Sequence, residues 1–273
     1  MEPFVPNMKG DTPYEIFKKF VQRKLTSNSV RLADHTIAVS GFVRDFITEE
    51  LGVNKEKVSL VYHGLSLQVN EKCVRPRLIP VGWDEGFLFS CGSIRPARGL
   101  EDALEALSYL KKQQFKLHLV IAGETVPGMK NYREGLERFI ALNGLTDSVC
   151  WAGSLNNEEM HWCFERCQLF IMTSRIEACP NIALEAMIHG CVCISTDSLP
   201  MPEFFGDAAE YYFQGNGNSL CTVIRNVLSW DAEQRKESSR RSMTRGSMFS
   251  WDICTERTLD VLKNTLMSFR VKN

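Results

Sequence analysis

The chain lacks any apolar run approaching the roughly 20 residues that a membrane-spanning helix requires. Its start, MEPFVPNMKGD, has neither the cationic stretch nor the apolar core of a secretory signal, and residues 1–13 read as a loose leader. A net charge of −1 leaves no basic surplus to replace the counterions of a polyanion, which argues against a nucleic-acid partner. Ten cysteines are present, yet none forms a Cys-x-x-Cys pair. Cys163/Cys167 and Cys191/Cys193 lack the second half of a zinc site, so no metal site is expected. Several cysteines fall inside apolar strands, as small hydrophobes do in a reduced cytoplasmic protein. No internal repeat or low-complexity tract appears. What remains is an ordinary globular composition, 44% hydrophobic and 24% charged over 273 residues, enough for one large or two modest domains.

The most informative stretch is 175–196, RIEACPNIALEAMIHGCVCIST. Before it, QLFIMTS reads as a buried strand. Pro180 and Asn181 then suit a helix start, since proline tolerates the first turn and asparagine can bond an orphan N–H. Ile182, Ala183, Ala186 and Met187 form a helical stripe that ends at Gly190, a stop signal. CVCIST is a second buried strand. This is the strand–loop–helix–strand unit of parallel α/β proteins. Glu177 lies in the loop at the strand's carboxyl end, where open α/β sheets bind ligands. Glu185 lies eight residues on, inside the helix. The helix start between them offers free N–H groups and a positive dipole end, suited to phosphate. Carboxylates on either side could accept from sugar hydroxyls; a glutamate near a helix start also suits the dipole with no ligand at all.

A second loop, CGSIRPARGLEDALEAL, follows the strand FLFSCG and leads into a helix. Gly92 and Gly99 permit tight turning. Arg95 and Arg98 bring two permanent charges whose fork geometry matches phosphate oxygens.

The E-x7-E spacing of Glu177 and Glu185, followed by LEAMIHGCVCIST, resembles the signature of retaining GT-B glycosyltransferases of family four, roughly E-x-F-G-x-x-x-x-E-A-[ML]-A-x-G-x-P-V-[IV]. Cys179 and Pro180 stand where that family usually has Phe and Gly. The arginine loop is similar to the family's G-R-L-x-x-x-K-G segment or its G-S-[LI]-R-P-x-K-G variant. Arg98 falls on the Lys position and Ser93 on the Arg of the commoner form, with Arg95 supplying the second charge. ADHTIAVSGFVRDFITEELGV and VSLVYHGL resemble the end of the family's first domain, with His63 in the usual Asn place as a hinge or packing residue. The resemblance covers about 32–266.

The resemblance implies an α/β, GT-B type chain: a Rossmann-like C-terminal donor domain with a parallel sheet, preceded by a truncated second Rossmann-like portion. Residues 1–65 would be the partial acceptor-side portion, 66–86 a linker, 87–250 the nucleotide-sugar-binding domain, and 251–273 a helix returning to the first portion. It further implies sugar transfer with retained configuration. Arg98 and Glu177 would be catalytic. Gly92, Ser93, Arg95, Arg98, Ala178, Cys179, Asn181, Ile182 and Glu185 would bind the donor. Glu177 would take sugar hydroxyls and Glu185 the ribose, while Asn181 and Ile182 would offer backbone N–H groups to phosphate; Pro180 cannot donate.

No resident cofactor is implied: a UDP- or GDP-sugar would be substrate, and the acceptor a glycan, a lipid-linked or a small molecule. No DxD-type carboxylate cluster is present to hold a divalent ion beside a diphosphate. Three alternatives stand beside this reading: a glycosidase carboxylate pair, an epimerase of the same fold, and a nucleotide-sugar-binding module or donor half needing a partner chain for its acceptor domain. The helix 14–34 carries Phe17, Phe20, Val21 and Leu25 on one side and Lys18, Lys19, Arg23 and Lys24 around the other. Such a helix suits peripheral contact with an anionic membrane as well as an ordinary surface position. His118, His161 and His189 have no clustered partners in the sequence and read as structural. Trp151 is read as core or as a stacking partner for the base.

Overall fold

The computed structural model describes Phe4, residues 13–65 and residues 72–272; most of the leader, and 66–71 of the linker, lie outside these. The described chain forms two compact units. The first takes in residues up to Leu65, Ile176–Cys179 and those from Phe249 onward; the second takes in 72–175 and Pro180–Met248.

In the first unit, helix α1 (Pro13–Leu32) precedes strand β1 (Thr36–Ala38), helix α2 (Gly41–Asp45) and strand β2 (Val58–Leu60). Ser40 caps α2 by accepting from the Val43 amide, and the helix widens into a π turn over Phe46–Glu50. β1 and β2 pair in parallel, Thr36 opposite Val58. Ala38, Ile47, Leu51, Val53 and Val58 make a small core beneath them. The last helix, α10 (Trp251–Lys272), falls in this unit. The Leu65 amide donates to Phe249 O at 2.9 Å, and His63 stacks on Trp251, a packing role. On α1, Tyr14, Phe17, Phe20 and Leu25 are exposed. Among the described residues no helix is long and apolar enough to cross a membrane.

The second unit is a six-stranded, wholly parallel sheet of β3 (Phe87–Cys91), β4 (Leu119–Ala122), β5 (Val149–Gly153), β6 (Cys167–Met172), β7 (Cys193–Thr196) and β8 (Ala209–Tyr212). Their order is β5-β4-β3-β6-β7-β8. Helices α3 (Leu100–Lys112), α4 (Lys130–Leu142), α5 (Asn157–Arg166), α6 (Asn181–Ile188), α7 (Met201–Phe205), α8 (Gly217–Leu228) and α9 (Ala232–Gly246) connect and cover it. β3 and β6 are buried along most of their length, which is why they read as continuous apolar runs. Asn156 and Asp231 start α5 and α9 with capping boxes. α7 interrupts a stretch that reads as loop in the sequence; its five residues are too few for a periodic signal, and burial of Met201, Phe204 and Phe205 holds it. On α6, Ala183, Leu184, Ala186 and Met187 are fully buried, and the leucine and methionine each contribute about 1.5–3 kcal/mol.

Residues 72–86, read as linker, are fastened to this unit. Arg75 donates to Ile79 O and Pro80 O and pairs with Asp84 at 2.7 Å. Trp83 stacks on His118, ring centroids 3.8 Å apart. His161 and His189 are not isolated as expected: their rings meet edge to face at 4.7 Å, and His189 stacks on Phe164. All ten cysteines are free thiols.

Candidate functional site

The sheet order reverses between β3 and β6, and ligands in open α/β sheets bind at the carboxyl ends of such a pair. After β3 the chain turns at Gly92, whose φ of +127° favours glycine. Ile94 then pairs with Glu124 and Thr125 of the neighbouring turn, carrying Ser93 and Arg95 past the strand end, both half-buried. A short 3₁₀ turn, Pro96–Arg98, ends at Gly99 with φ +65° and opens α3. A side chain on Gly99 would collide with Thr173 O, so glycine allows this turn to lie against the end of β6.

That contact places Arg98. Its side chain is only 9% exposed. Nη1 donates to Ser174 Oγ at 2.8 Å and approaches Met172 Sδ at 4.0 Å. Thr173 Oγ1 donates to Arg98 O at 2.8 Å, so both the backbone and the head group are held by the two residues that follow β6. Burial pushes the Cys91 thiol at the end of β3 well above its usual range; the Arg98 guanidinium opposes this and the Glu185 carboxylate adds to it.

Asn181 and Ile182 are the first two residues of α6. Pro180 stands at the cap and its carbonyl accepts from Ala183 and Leu184, so the amides ahead of them have no acceptor within the helix. Pro180 takes the cap position in place of the side-chain cap expected from Asn181. Glu177, Ala178 and Cys179 are half-buried and fall in the first unit, and Gly92, Ser93, Arg95, Arg98, Asn181, Ile182 and Glu185 in the second.

Five residues here carry little signal in the sequence. Ser174 holds Arg98. Arg175 donates from Nη2 to Asp102 Oδ1 at 3.1 Å, and Asp102 Oδ2 accepts from Tyr212 OH and from the Gly215 amide, each at 2.9 Å. Burial alone would lower the Arg175 pKa, but Asp102 and Glu101 hold it above its usual value. Asp102 shares a helical stripe with Ala106 and Leu110, and an acid on that buried stripe is the one legible hint of this knot. Trp151, whose role was open, is half-buried against the core, with the Arg133 guanidinium 3.3 Å over its ring.

A wholly parallel sheet whose strand order reverses between β3 and β6 is the doubly wound α/β architecture. The family profile described as glycosyl transferases group 1 matches residues 81–242, and the chain belongs to that family. Its fold is of the GT-B type. The structure of Anabaena Alr3699/HepE with UDP-glucose aligns with a TM-score of 0.78 at 17% identity, covering 89% of this chain and 68% of that one. Sucrose-phosphate synthase from Thermosynechococcus elongatus aligns at 0.77 and 17% identity, covering 98% and 65%. Among sequences, the lipopolysaccharide 1,2-N-acetylglucosaminetransferase of Salmonella typhimurium is 22% identical over 84% of this chain and 61% of its own length. An uncharacterized glycosyltransferase of Bacillus subtilis, YqgM, is 31% identical over 44% of this chain and 32% of its own. The chain spans between about a third and three fifths of these two curated relatives.

Proposed function

We propose that the chain is a glycosyltransferase that moves a sugar from a nucleotide-sugar donor to an acceptor, with retention of configuration and without a metal ion. The observation that carries this reading is the Arg98 guanidinium, buried where the sheet order reverses and held by Ser174 Oγ at 2.8 Å. Family membership supports the reaction class, and a neighbour crystallised with UDP-glucose supports the donor class.

In this reading Arg98, with Arg95, faces the donor diphosphate. As the glycosidic bond breaks, negative charge grows on that leaving group and positive charge on the sugar ring. A guanidinium and the Asn181 and Ile182 amides directed at the leaving group stabilise the transition state more than the ground state. Glu185 accepts from ribose hydroxyls and Glu177 from the transferred sugar. Gly92, Ser93, Ala178 and Cys179 line the donor with backbone. The acceptor is a glycan, a lipid-linked or a small molecule. The exposed Tyr14, Phe17, Phe20 and Leu25 on α1, beside Lys18 and Lys24, support peripheral contact with an anionic membrane, which sedimentation with acidic vesicles tests.

The purified chain should melt at a higher temperature with one of UDP, GDP or ADP or their sugars, since a ligand that binds the folded state stabilises it by mass action. It should then release or transfer that sugar. Binding without turnover, alone or with other chains, marks a binding module or a donor half; no stabilisation by any of them removes the reading.

A further inference from the structure

Asp102 is 2% exposed and stands in the first turn of α3. Its two oxygens gather three donors from two other connections at the carboxyl edge of the sheet. Arg175 follows β6, Tyr212 ends β8, and Gly215 lies between β8 and α8. Glu101 Oε2 lies 3.6 Å from the same Arg175 nitrogen. The Arg175 backbone is pinned as well, its amide donating to Ala97 O at 2.9 Å. Gly215, with φ +74°, leaves room for the guanidinium: an added β-carbon would lie 3.3 Å from Nη1.

We infer that Asp102 and Arg175 are a positioning pair: they set the point at which the chain leaves β6 and enters residues 176–182. The pair touches no donor atom; it acts through the segment that follows it. This rests on the functional reading above, which assigns that segment to the sugar and the diphosphate. Burying a carboxylate carries a desolvation cost before its partners return it, and packed apolar side chains often serve stability as well. A buried ion pair is of more use where three connections must meet in one geometry. Here they meet beside Thr173 and Ser174, the residues that hold Arg98.

The test uses the full chain with Arg175→Gln, and Asp102→Asn as a second variant in case the first folds poorly. Without ligand, amide hydrogen exchange over 176–182 should speed up about 10-fold or more, while β4 and the first residues of β6 keep their rates. In UDP-glucose hydrolysis kcat should fall about 10-fold or more, with KM changed less than about threefold. Tyr212→Phe removes one donor but keeps the ion pair; it should lower Tm without moving either readout. Unchanged exchange over 176–182, or a uniform loss of protection across the sheet, overturns the positioning role. If the unaltered chain hydrolyses no UDP-glucose, the hydrolysis result bears on the functional reading, and exchange alone decides the pair's role.

Discussion

Arg98 fills the space that a side chain on Gly92 would occupy. An added β-carbon there would lie 2.5 Å from Nη2 and 2.6 Å from Cζ. The obstruction is the far end of a side chain, but a φ of +127° is itself strained for any residue with a β-carbon, so Gly92→Ala should displace the guanidinium and also lower Tm. Charge-assisted hydrogen bonds are worth about 1.5–3 kcal/mol, so Gly92→Ala and Arg98→Ala should each weaken nucleoside diphosphate binding about 10- to 100-fold by titration calorimetry. Undiminished affinity in Arg98→Ala would remove Arg98 from the site.

Glu185 is assigned to ribose. Glu185→Gln should therefore weaken a nucleoside diphosphate about 10-fold and leave its 2′,3′-dideoxy analogue nearly unaffected. Equal losses on both ligands would mean that Glu185 does not meet the ribose.

Glu105 faces Asp102, Glu101, Arg175 and the Gly217 amide. Burial first, then the Asp102 charge, raise its carboxyl above the ordinary 4.5, while Gly217 pulls the other way. An acid raised in the folded state binds its proton more tightly than in the unfolded chain. It therefore subtracts stability above that range, and the deficit disappears as pH falls below 4.5. Glu105→Gln should raise Tm by about 1–3 °C at pH 7 and give no gain near pH 4. A fall in Tm at pH 7 would contradict this.

Gly217 opens α8 where it crosses α3, and a β-carbon there would collide with Glu105 Cβ. Overpacking of this kind costs about 1–3 kcal/mol, so Gly217→Ala should lower Tm by about 3–10 °C in a thermal melt. An unchanged melt would show that the two helices can separate freely.

Much of the donor-side architecture was legible because its signals are local. FLFSC, LVIA and CQLFIM are apolar because strands covered on both faces must be, and Asn156 and Asp231 announce helix starts through bonds spanning three residues. Glu177, Glu185 and the arginine loop stood out by residue type and spacing. Asp102 did not, because an acid in a helix's first turn is ordinary, and only its burial is informative.

Alternating strands and helices, the turn glycines and the charges at their ends are written in order along the chain, since each depends on neighbours a few residues away. Whether Arg98 would meet Ser174, 76 positions later, was not. That depended on β6 pairing with β3 rather than extending the sheet beyond β5, a choice made by packing across the whole sheet. The same choice brought Asp102, Arg175, Tyr212 and Gly215 together, because strand neighbours are set by long-range burial and not by periodicity within any one segment.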